Sequence, residues 1–241
     1  MDREIVNAVT DSENSCMQEN SEISPPRARF VWLKRLLGAI ALVVAVALGF
    51  MGYIGLFNSN FREVTPGKCY RSAQLKPEGL REAIASRGIK SVLNLRGERK
   101  NEEWYKEEVA VCEAAKIDHA DINIGLGQLP KPETLKQLIE KLEAGPYPML
   151  LHCRSGSDRT GLAGAFYRHI VEKKPLEEAE AEQVTWRYGH FDIGKAKCIN
   201  EFFKLYHDTA HGQSLKDWLN NTYPAEYEKC VDGAEKSRVA D

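Results

Sequence analysis

The pattern of apolar and polar positions divides the chain into three parts. Residues 1 to about 35 carry scattered polar and charged side chains without hydrophobic periodicity, which predicts a disordered tail. Residues 36–57 contain no charged side chain, and an uncharged helix of this length can span the hydrocarbon core of a bilayer. From residue 58 to residue 241, short extended runs alternate with helical ones, and this stretch is long enough to form one folded domain.

Within the third part, the alternation favours a central sheet covered by helices. We predict helices at 80–86, 102–115, 132–143, 177–186 and 198–207, and strands at 91–95, 120–124 and 147–152. Strands that alternate with helices are typical of an α/β fold with a mostly parallel sheet. The expected architecture is therefore an α/β domain, flanked by helices on both faces and preceded by one transmembrane helix.

The uncharged segment has aromatic side chains at both ends, as expected for a helix that meets two lipid–water interfaces. Phe30 and Trp32 lie on one flank, and Tyr53 and Phe57 lie near the other. A cleaved signal peptide is the alternative, but the long polar stretch before the segment and the length of the apolar run disfavour it. We therefore predict a single-pass membrane anchor.

Charged residues beside the segment predict its orientation. Four basic side chains crowd its N-terminal side: Arg27, Arg29, Lys34 and Arg35. Basic residues also follow it, but they fall where the folded domain begins. Because basic flanks favour the cytoplasm, we expect the folded domain on the other side of the membrane, which in a bacterium is the periplasm.

The overall composition argues against two classes of site. The net charge of −2 gives no reason to expect a nucleic-acid binder. The six cysteines are widely spaced and form no Cys-x-x-Cys pair, so the sequence indicates neither a zinc site nor a dense disulfide framework. We expect no metal ion and no organic cofactor.

The strongest chemical signal is the run from His152 to Gly161, which lies between a predicted strand and a predicted helix. It contains Cys153 and Arg159, separated by five residues. At such a turn, backbone N–H groups, the positive end of the helix and an arginine side chain form a cradle for a phosphate group. The same field favours the thiolate form of Cys153, which can attack phosphorus. An inert buried cysteine is the alternative, and the neighbouring residues disfavour it.

These neighbours each fit phosphate chemistry. Gly156 allows the backbone to approach a ligand closely, and Thr160 offers a hydroxyl to the cysteine sulfur as it becomes a leaving group. His152 can order the loop. We predict that phosphate is contacted by Arg154, Ser155, Gly156, Ser157 and Thr160.

These residues resemble the signature of the cysteine-dependent protein tyrosine and dual-specificity phosphatase superfamily, His-Cys-X5-Arg-Ser/Thr. The likeness extends from about residue 60 to residue 223. The segments 61–74 and 88–96 resemble strands of bacterial and plant-fungal atypical dual-specificity phosphatases, and Arg187–His190 resembles a motif of the bacterial branch. The resemblance implies metal-free hydrolysis of phosphomonoesters through a phosphocysteine intermediate.

Two aspartates are candidates for the general acid. Related phosphatases commonly use an Asp on a loop upstream of the cysteine, but the corresponding loop here, residues 125–130, contains no acid. Asp121 has the right distance in sequence but falls within a predicted strand. Asp158 directly precedes Arg159, as an Asp does in the resembling myotubularin loop, and we favour it for its reach.

The sequence leaves three interpretations of the function, two of which differ in the substrate. Arg154 is the only basic residue between Cys153 and Arg159, and Asp158 opposes it, so the loop does not suggest a site for many phosphates. A phosphotyrosine or other phosphoprotein is therefore the leading expectation. Membrane tethering makes a phospholipid or inositol phosphate the second. A phosphate-binding pseudophosphatase is the third, because the usual upstream acid is missing.

Several other polar residues are expected to be structural. We predict ion pairs or packing roles for Arg71, Ser72, Arg96, His190 and Asp192.

Overall fold

The computed structural model describes residues 27–57 and 59–239, with side chains for residues 31–49 and 59–232. The predicted disordered tail therefore lies outside the described residues up to residue 26. Residues 27–35, which we expected in the tail, are helical, because a helix that has nucleated in the apolar segment propagates readily through adjoining residues. The chain divides into two compact units, residues 1–50 and 51–241.

Helix α1 extends from Arg27 to Phe57. Its stretch Val31–Gly49 has a mean hydropathy of 2.1, and 0% of that stretch is buried. The helix is therefore long and apolar enough to cross a membrane, although the same length and composition also occur in signal sequences. The side of the membrane on which the folded unit lies stays a prediction.

The larger unit is built on one five-stranded sheet. Its strands are β1 (Arg62–Thr65), β2 (Cys69–Ser72), β3 (Ser91–Asn94), β4 (Asp118–Asp121) and β5 (Met149–His152). Their order across the sheet is β1-β2-β5-β3-β4. Only β1 pairs in the antiparallel sense, and the other pairs are parallel. This arrangement confirms the predicted α/β fold with a mostly parallel sheet.

Helices connect and cover the strands. They are α2 (Pro77–Arg87), α3 (Glu103–Ala115), α4 (Pro132–Ala144), α5 (Asp158–Ile170), α6 (Leu176–Gln183), α7 (Lys197–Thr209), α8 (Leu215–Asn221) and α9 (Tyr223–Val239). Two short 3-10 turns, Trp186–Tyr188 and Gly194–Ala196, lie between α6 and α7. Both α2 and α4 begin with proline, whose fixed φ suits the first turn of a helix.

The observed bounds shift by up to three residues from the predicted ones, and two of these shifts have a clear cause. The strand expected at 120–124 is β4, which begins and ends earlier because it pairs residue by residue with β3. Ile122 and Ile124 produced the alternating pattern, but they are buried beyond the end of that strand. The helix expected to reach residue 186 stops at Gln183, because Thr185 is extended and β-branched residues favour that conformation.

The central strand β5 places apolar side chains on both faces of the sheet. Leu151 packs into a large cluster with α4, α5, α7 and α8, whereas Leu150 packs into a smaller cluster with α2 and α3. Phe202 lies at the centre of the larger cluster, with its ring 5.7 Å from that of Trp218 and 5.3 Å from that of Tyr223. The sheet is therefore held from both sides, and the chain leaves β5 at a rigid edge.

Replacing Phe202 with alanine should lower the free energy of unfolding by about 3–5 kcal/mol. Phe202 is fully buried, so removing its ring leaves a cavity inside the core. Phe191→Ala is the matched control. Because Phe191 is 41% exposed, this substitution should lower the free energy of unfolding far less. Urea unfolding followed by tryptophan fluorescence measures both. Equal losses would contradict this account of the core.

Candidate active site

The cysteine–arginine run forms the turn between β5 and α5. His152 ends β5, Cys153 follows it, and Arg159 lies in the first turn of α5. Cys153, Ser157 and Thr160 are buried, whereas Arg154 and Ser155 are exposed. The structure thus brings the predicted site residues into one short loop, residues 152–160, which we call the phosphate loop.

Gly156 lets this loop lie directly against β2. Its φ is +72°, and a Cβ atom there would lie 2.6 Å from the backbone nitrogen of Ala73 and 2.7 Å from the carbonyl carbon of Ser72. Both contacts are with main chain that is fixed by the sheet. No side chain therefore fits at this position, because the loop packs on the main chain of β2.

Arg71 supports the loop from below. Its Nη2 donates to the carbonyl oxygens of Gly156, at 2.9 Å, and Ser157, at 3.3 Å, while Nη1 donates to the main-chain and side-chain oxygens of Gln183. The guanidinium lies 3.9 Å from the centre of the Tyr188 ring. Burial lowers the pKa of Arg71 to about 10, although Tyr188 and Cys153 act in the opposite direction. At neutral pH this fully buried side chain stays charged.

Asn60 holds the same peptide groups from another side. Its Nδ2 lies 3.1 Å from the carbonyl oxygens of Ser155 and Gly156 and 2.9 Å from that of Tyr188. In a trans peptide the C=O and the following N–H point in opposite directions. Carbonyls that are turned toward Asn60 and Arg71 therefore turn the N–H groups of the following residues away from Asn60 and Arg71.

Glu108 is a buried carboxylate behind His152. Its Oε1 lies 3.1 Å from His152 Nε2 and 2.9 Å from His119 Nε2, and its Oε2 accepts a hydrogen bond from Gln74. Burial alone would raise the pKa of Glu108, but the charge of His152 and the hydrogen bonds from His119, His152 and Gln74 outweigh it and lower the pKa to about 2. The orientation of His152 is thereby fixed beside the nucleophile.

Arg96 forms the ion pair that we expected, since its Nη2 lies 3.6 Å from Glu102 Oε2. It stacks at 3.6 Å on the ring of Trp104 and donates to Gln74 Oε1 at 3.2 Å. Burial lowers the pKa of Arg96, Glu102 raises it, and the charges of Arg159 and Arg154 lower it further. The positive charges of Arg154 and Arg159 therefore act on Arg96, as cations do in sites that attract anions.

The two candidate acids lie in different surroundings. Asp121 ends β4, where Oδ1 accepts from Asn94 at 2.7 Å and Oδ2 accepts from the Tyr105 hydroxyl at 2.5 Å. Asp158 begins α5, and its Oδ1 lies 2.7 Å from Nδ1 of the buried His190. Both oxygens of Asp121 are therefore engaged, whereas Oδ2 of Asp158 has no partner among the residues whose side chains are described.

His190 is itself held in place by Asn200, whose Oδ1 lies 2.8 Å from His190 Nε2. Burial lowers the pKa of His190, but the hydrogen bonds to Asp158 and Asn200 and the charge of Asp158 outweigh this and raise it. The protonated imidazole is thus favoured beside the Asp158 carboxylate. The other predicted structural residue of this segment, Asp192, is exposed.

Buried polar atoms that lack a hydrogen-bond partner concentrate at this loop. Six such atoms occur among the described side chains: Asn60 Oδ1, Arg71 Nε, Ser72 Oγ, His152 Nδ1, Arg159 Nε and Thr160 Oγ1. All belong to the phosphate loop or to residues in β2 and Asn60 that lie against it. Because buried polar groups are normally satisfied, their clustering marks a site shaped for a polar ligand.

Within the described part of the chain, no three His, Cys, Asp or Glu side chains are grouped so that they could hold a metal ion.

Sequence reasoning missed Asn60 and Gln183, and it gave Arg71 a structural role without placing it under the loop. Arg71, Asn60 and Gln183 are far from the loop in sequence, and only the folded sheet brings them to it. The role of Glu108 could have been found from the sequence. Tyr105, Glu108 and Val111 share one face of α3, and a single acid on an apolar face needs buried partners.

Comparison with known proteins places this site in a family. A family model described as "DSP-PTPase phosphatase fused to NAD+ Kinase" matches residues 57–201, which include the phosphate loop and the residues that support it. The comparison with curated proteins found no match.

Solved structures with a similar fold include a putative phosphatase from Shewanella putrefaciens CN-32, with a TM-score of 0.50 and 15% identity over 63% of this chain and 89% of that one. P. aeruginosa TpbA in complex with pTyr has a TM-score of 0.47 and 21% identity, over 64% of this chain and 93% of that one. The core catalytic domain of the PP-IP phosphatase SIW14 from S. cerevisiae has a TM-score of 0.47 and 20% identity, over 63% of this chain and 93% of that one. The Shewanella structure shows that the fold is shared.

Replacing Glu108 with glutamine should make stability less dependent on acid pH. The pKa of Glu108 falls from 4.5 to about 2 on folding, so the ionised form stabilises the fold by about 3 kcal/mol above pH 4.5, and this is lost as pH falls toward 2. Urea unfolding should therefore show a deficit in Glu108→Gln at neutral pH that closes in acid.

The exposed neighbour Glu107 provides the control, because Glu107→Gln should match the parent chain at every pH. A deficit in Glu108→Gln that is independent of pH would mean that packing, and not charge, is what Glu108 contributes.

Proposed function

The chain belongs to the DSP-PTPase family of phosphatases, and on that premise we propose that it hydrolyses phosphomonoesters with Cys153 as the nucleophile. The observation that carries this proposal is the set of unpartnered buried polar atoms around a loop that also holds a buried cysteine and Arg159. A phosphate group offers acceptors to the loop N–H groups and to the guanidinium.

The proposed reaction has two displacements at phosphorus. The Cys153 thiolate attacks in line, so that an S–P bond forms while the bond to the leaving oxygen breaks and that oxygen takes a proton. Water then attacks phosphorus, the S–P bond breaks, and the thiolate returns with release of inorganic phosphate. Arg159 and the loop N–H groups hold the equatorial oxygens as charge is redistributed.

Thr160 and His152 assist the cysteine in this scheme. The Thr160 hydroxyl is buried without a partner and can donate to the sulfur when it leaves phosphorus in the second step. His152 is fixed by Glu108, and its pairing with Asn94 of β3 holds the end of β5, where the loop starts. Arg154 and Ser155 are exposed at the edge of the loop, where they can contact the rest of the substrate.

Asp158 is the proposed general acid. Its Oδ2 is free of hydrogen bonds within the described residues, while Oδ1 faces the imidazole of His190. Asp121 is a poorer candidate, because both of its oxygens already accept hydrogen bonds.

A phosphotyrosine or other phosphoprotein is the proposed substrate, since the loop itself provides one phosphate cradle. A phospholipid or inositol phosphate is the second candidate. It is favoured by Arg96, which adds a third guanidinium beside Arg154 and Arg159. We further propose that α1 anchors the chain in a membrane as a single pass, with the folded unit outside the cytoplasm.

Replacing Cys153 with serine should lower the turnover of p-nitrophenyl phosphate by at least about a thousandfold, because serine lacks a stabilised anion for the attack. The parent activity should persist in a chelator and be inhibited by vanadate. Cys230→Ser is the control, since Cys230 is exposed on α9 and should leave turnover unchanged. Residual activity within tenfold of the parent would exclude Cys153 as nucleophile, and a parent chain without turnover would favour the pseudophosphatase.

Replacing Asp158 with asparagine should lower kcat for phenyl phosphate by about 10²–10⁴-fold and remove the basic limb of its pH–rate profile. The loss should be smaller with p-nitrophenyl phosphate, whose leaving group needs less protonation. Asp121→Asn is the matched comparison and should keep the limb. If it is Asp121→Asn that removes the limb, the assignment of the acid is reversed.

A further inference from the structure

Exposed large apolar side chains in the described part of the folded unit lie on two segments, the loop of Leu126 and residues 186–193. Among the side chains described in residues 59–232, they are Leu126 at 39% exposure, Trp186 at 69%, Phe191 at 41% and Ile193 at 70%. We call these four residues the apolar rim. Exposing two aromatic and two aliphatic side chains together is costly in water, and such clusters mark contact surfaces.

The apolar rim borders the phosphate loop. The 3-10 turn that begins at Trp186 ends at Tyr188, whose carbonyl accepts from Asn60, and His190 then contacts Asp158. The loop that carries Leu126 is joined to the same segment, because Gly127 N–H donates to the carbonyl of Lys195 at 3.1 Å. The rim and the site therefore lie on a single hydrogen-bonded framework.

A residue that supports the phosphate loop also follows the apolar helix closely in sequence. Asn60, which binds the carbonyls of Ser155 and Gly156, follows Phe57 by only three residues. Three residues of extended chain reach at most about 11 Å. Residues 36–57, as a helix, have a length of about 33 Å, close to the thickness of a bilayer core. If this segment spans the membrane, Asn60 must lie near the lipid headgroups.

Charge around the apolar rim also suits a lipid surface. Arg187, Lys195 and Lys197 are exposed, and none forms an ion pair within the described residues. Asp192 is the only acid among residues 186–197. Tryptophan favours the interface between hydrocarbon and water, and arginine and lysine beside it bind lipid phosphates.

We propose that the apolar rim inserts into the interface of the same bilayer that holds α1. The inference rests on the proposed membrane insertion of α1 and is independent of which phosphomonoester the enzyme hydrolyses. Docking would fix the folded unit by two contacts, the covalent one at Phe57 and the rim, and would hold the phosphate loop at the level of the headgroups.

Quenching of Trp186 by brominated lipids tests the proposal. The full chain with Trp32→Phe is placed, one copy per disc, in nanodiscs of phosphatidylcholine and phosphatidylglycerol. The lipid acyl chains carry bromine either near the headgroup or near the chain end. Subtracting the emission of the Trp32→Phe/Trp186→Phe chain isolates Trp186, since Trp104 and Trp218 are common to both.

The expected result is at least about twofold quenching of Trp186 by bromine near the headgroup and weaker quenching by bromine near the chain end. Phe191→Ser with Ile193→Ser should abolish this quenching, because the apolar contact is removed. The matched control pair Lys106→Ser and Glu107→Ser, at exposed positions of α3, should leave it intact.

Three results would overturn the proposal: Trp186 emission that responds to acrylamide in water but to neither lipid, protection of Trp186 only in discs with two copies, or failure of the chain to enter the discs. The second would identify another copy as the occupant. Turnover of p-nitrophenyl phosphate is measured in the same samples. Quenching without turnover would reject the proposed function alone, and turnover without quenching would reject the docking alone.

Discussion

The phosphate loop depends on one buried cation. Arg71 extends from β2 beneath the loop and is fully buried. Because no water solvates its charge, the carbonyl oxygens of Gly156, Ser157 and Gln183 compensate it. An uncompensated buried guanidinium would cost several kcal/mol, and therefore these carbonyls are held in one orientation. That orientation turns the following N–H groups outward. The parallel register of β2 and β5, in which Arg71 lies opposite Leu151, brings the guanidinium to the correct depth.

A buried anion on the other side of β5 complements this cation. Glu108 approaches from α3 and gathers His152, His119 and Gln74, and Gln74 in turn accepts from Arg96. The nucleophile loop is therefore enclosed by polar groups whose positions are set by the sheet and by α3. Electrostatic preorganisation of this kind avoids reorganisation of the protein when charge moves during a reaction.

Much of the fold could be predicted because its signals are local. The apolar run of β5, the proline-started α4 and the strand-to-helix turn at Cys153 each depend on neighbouring residues. The supports of the loop could not be predicted in this way, because Arg71 meets Gln183 across 112 positions of sequence. The ion pair expected of Arg96 is present, because its partner Glu102 is close in sequence. The end of β4 was displaced because pairing with β3 overrode the local alternation of Ile122 and Ile124.

Gly156 also constrains how the sequence can change. A methyl group there would meet the main chain of Ser72 and Ala73, which cannot rotate aside as a flexible side chain could. Gly79, in contrast, has open space around its missing Cβ. Every single-nucleotide change that replaces Gly156 therefore requires β2 to move, and β2 carries Arg71. Selection should remove such alleles before a compensating substitution arises. Gly156 should therefore stay invariant among descendants of this protein, even where surface residues vary.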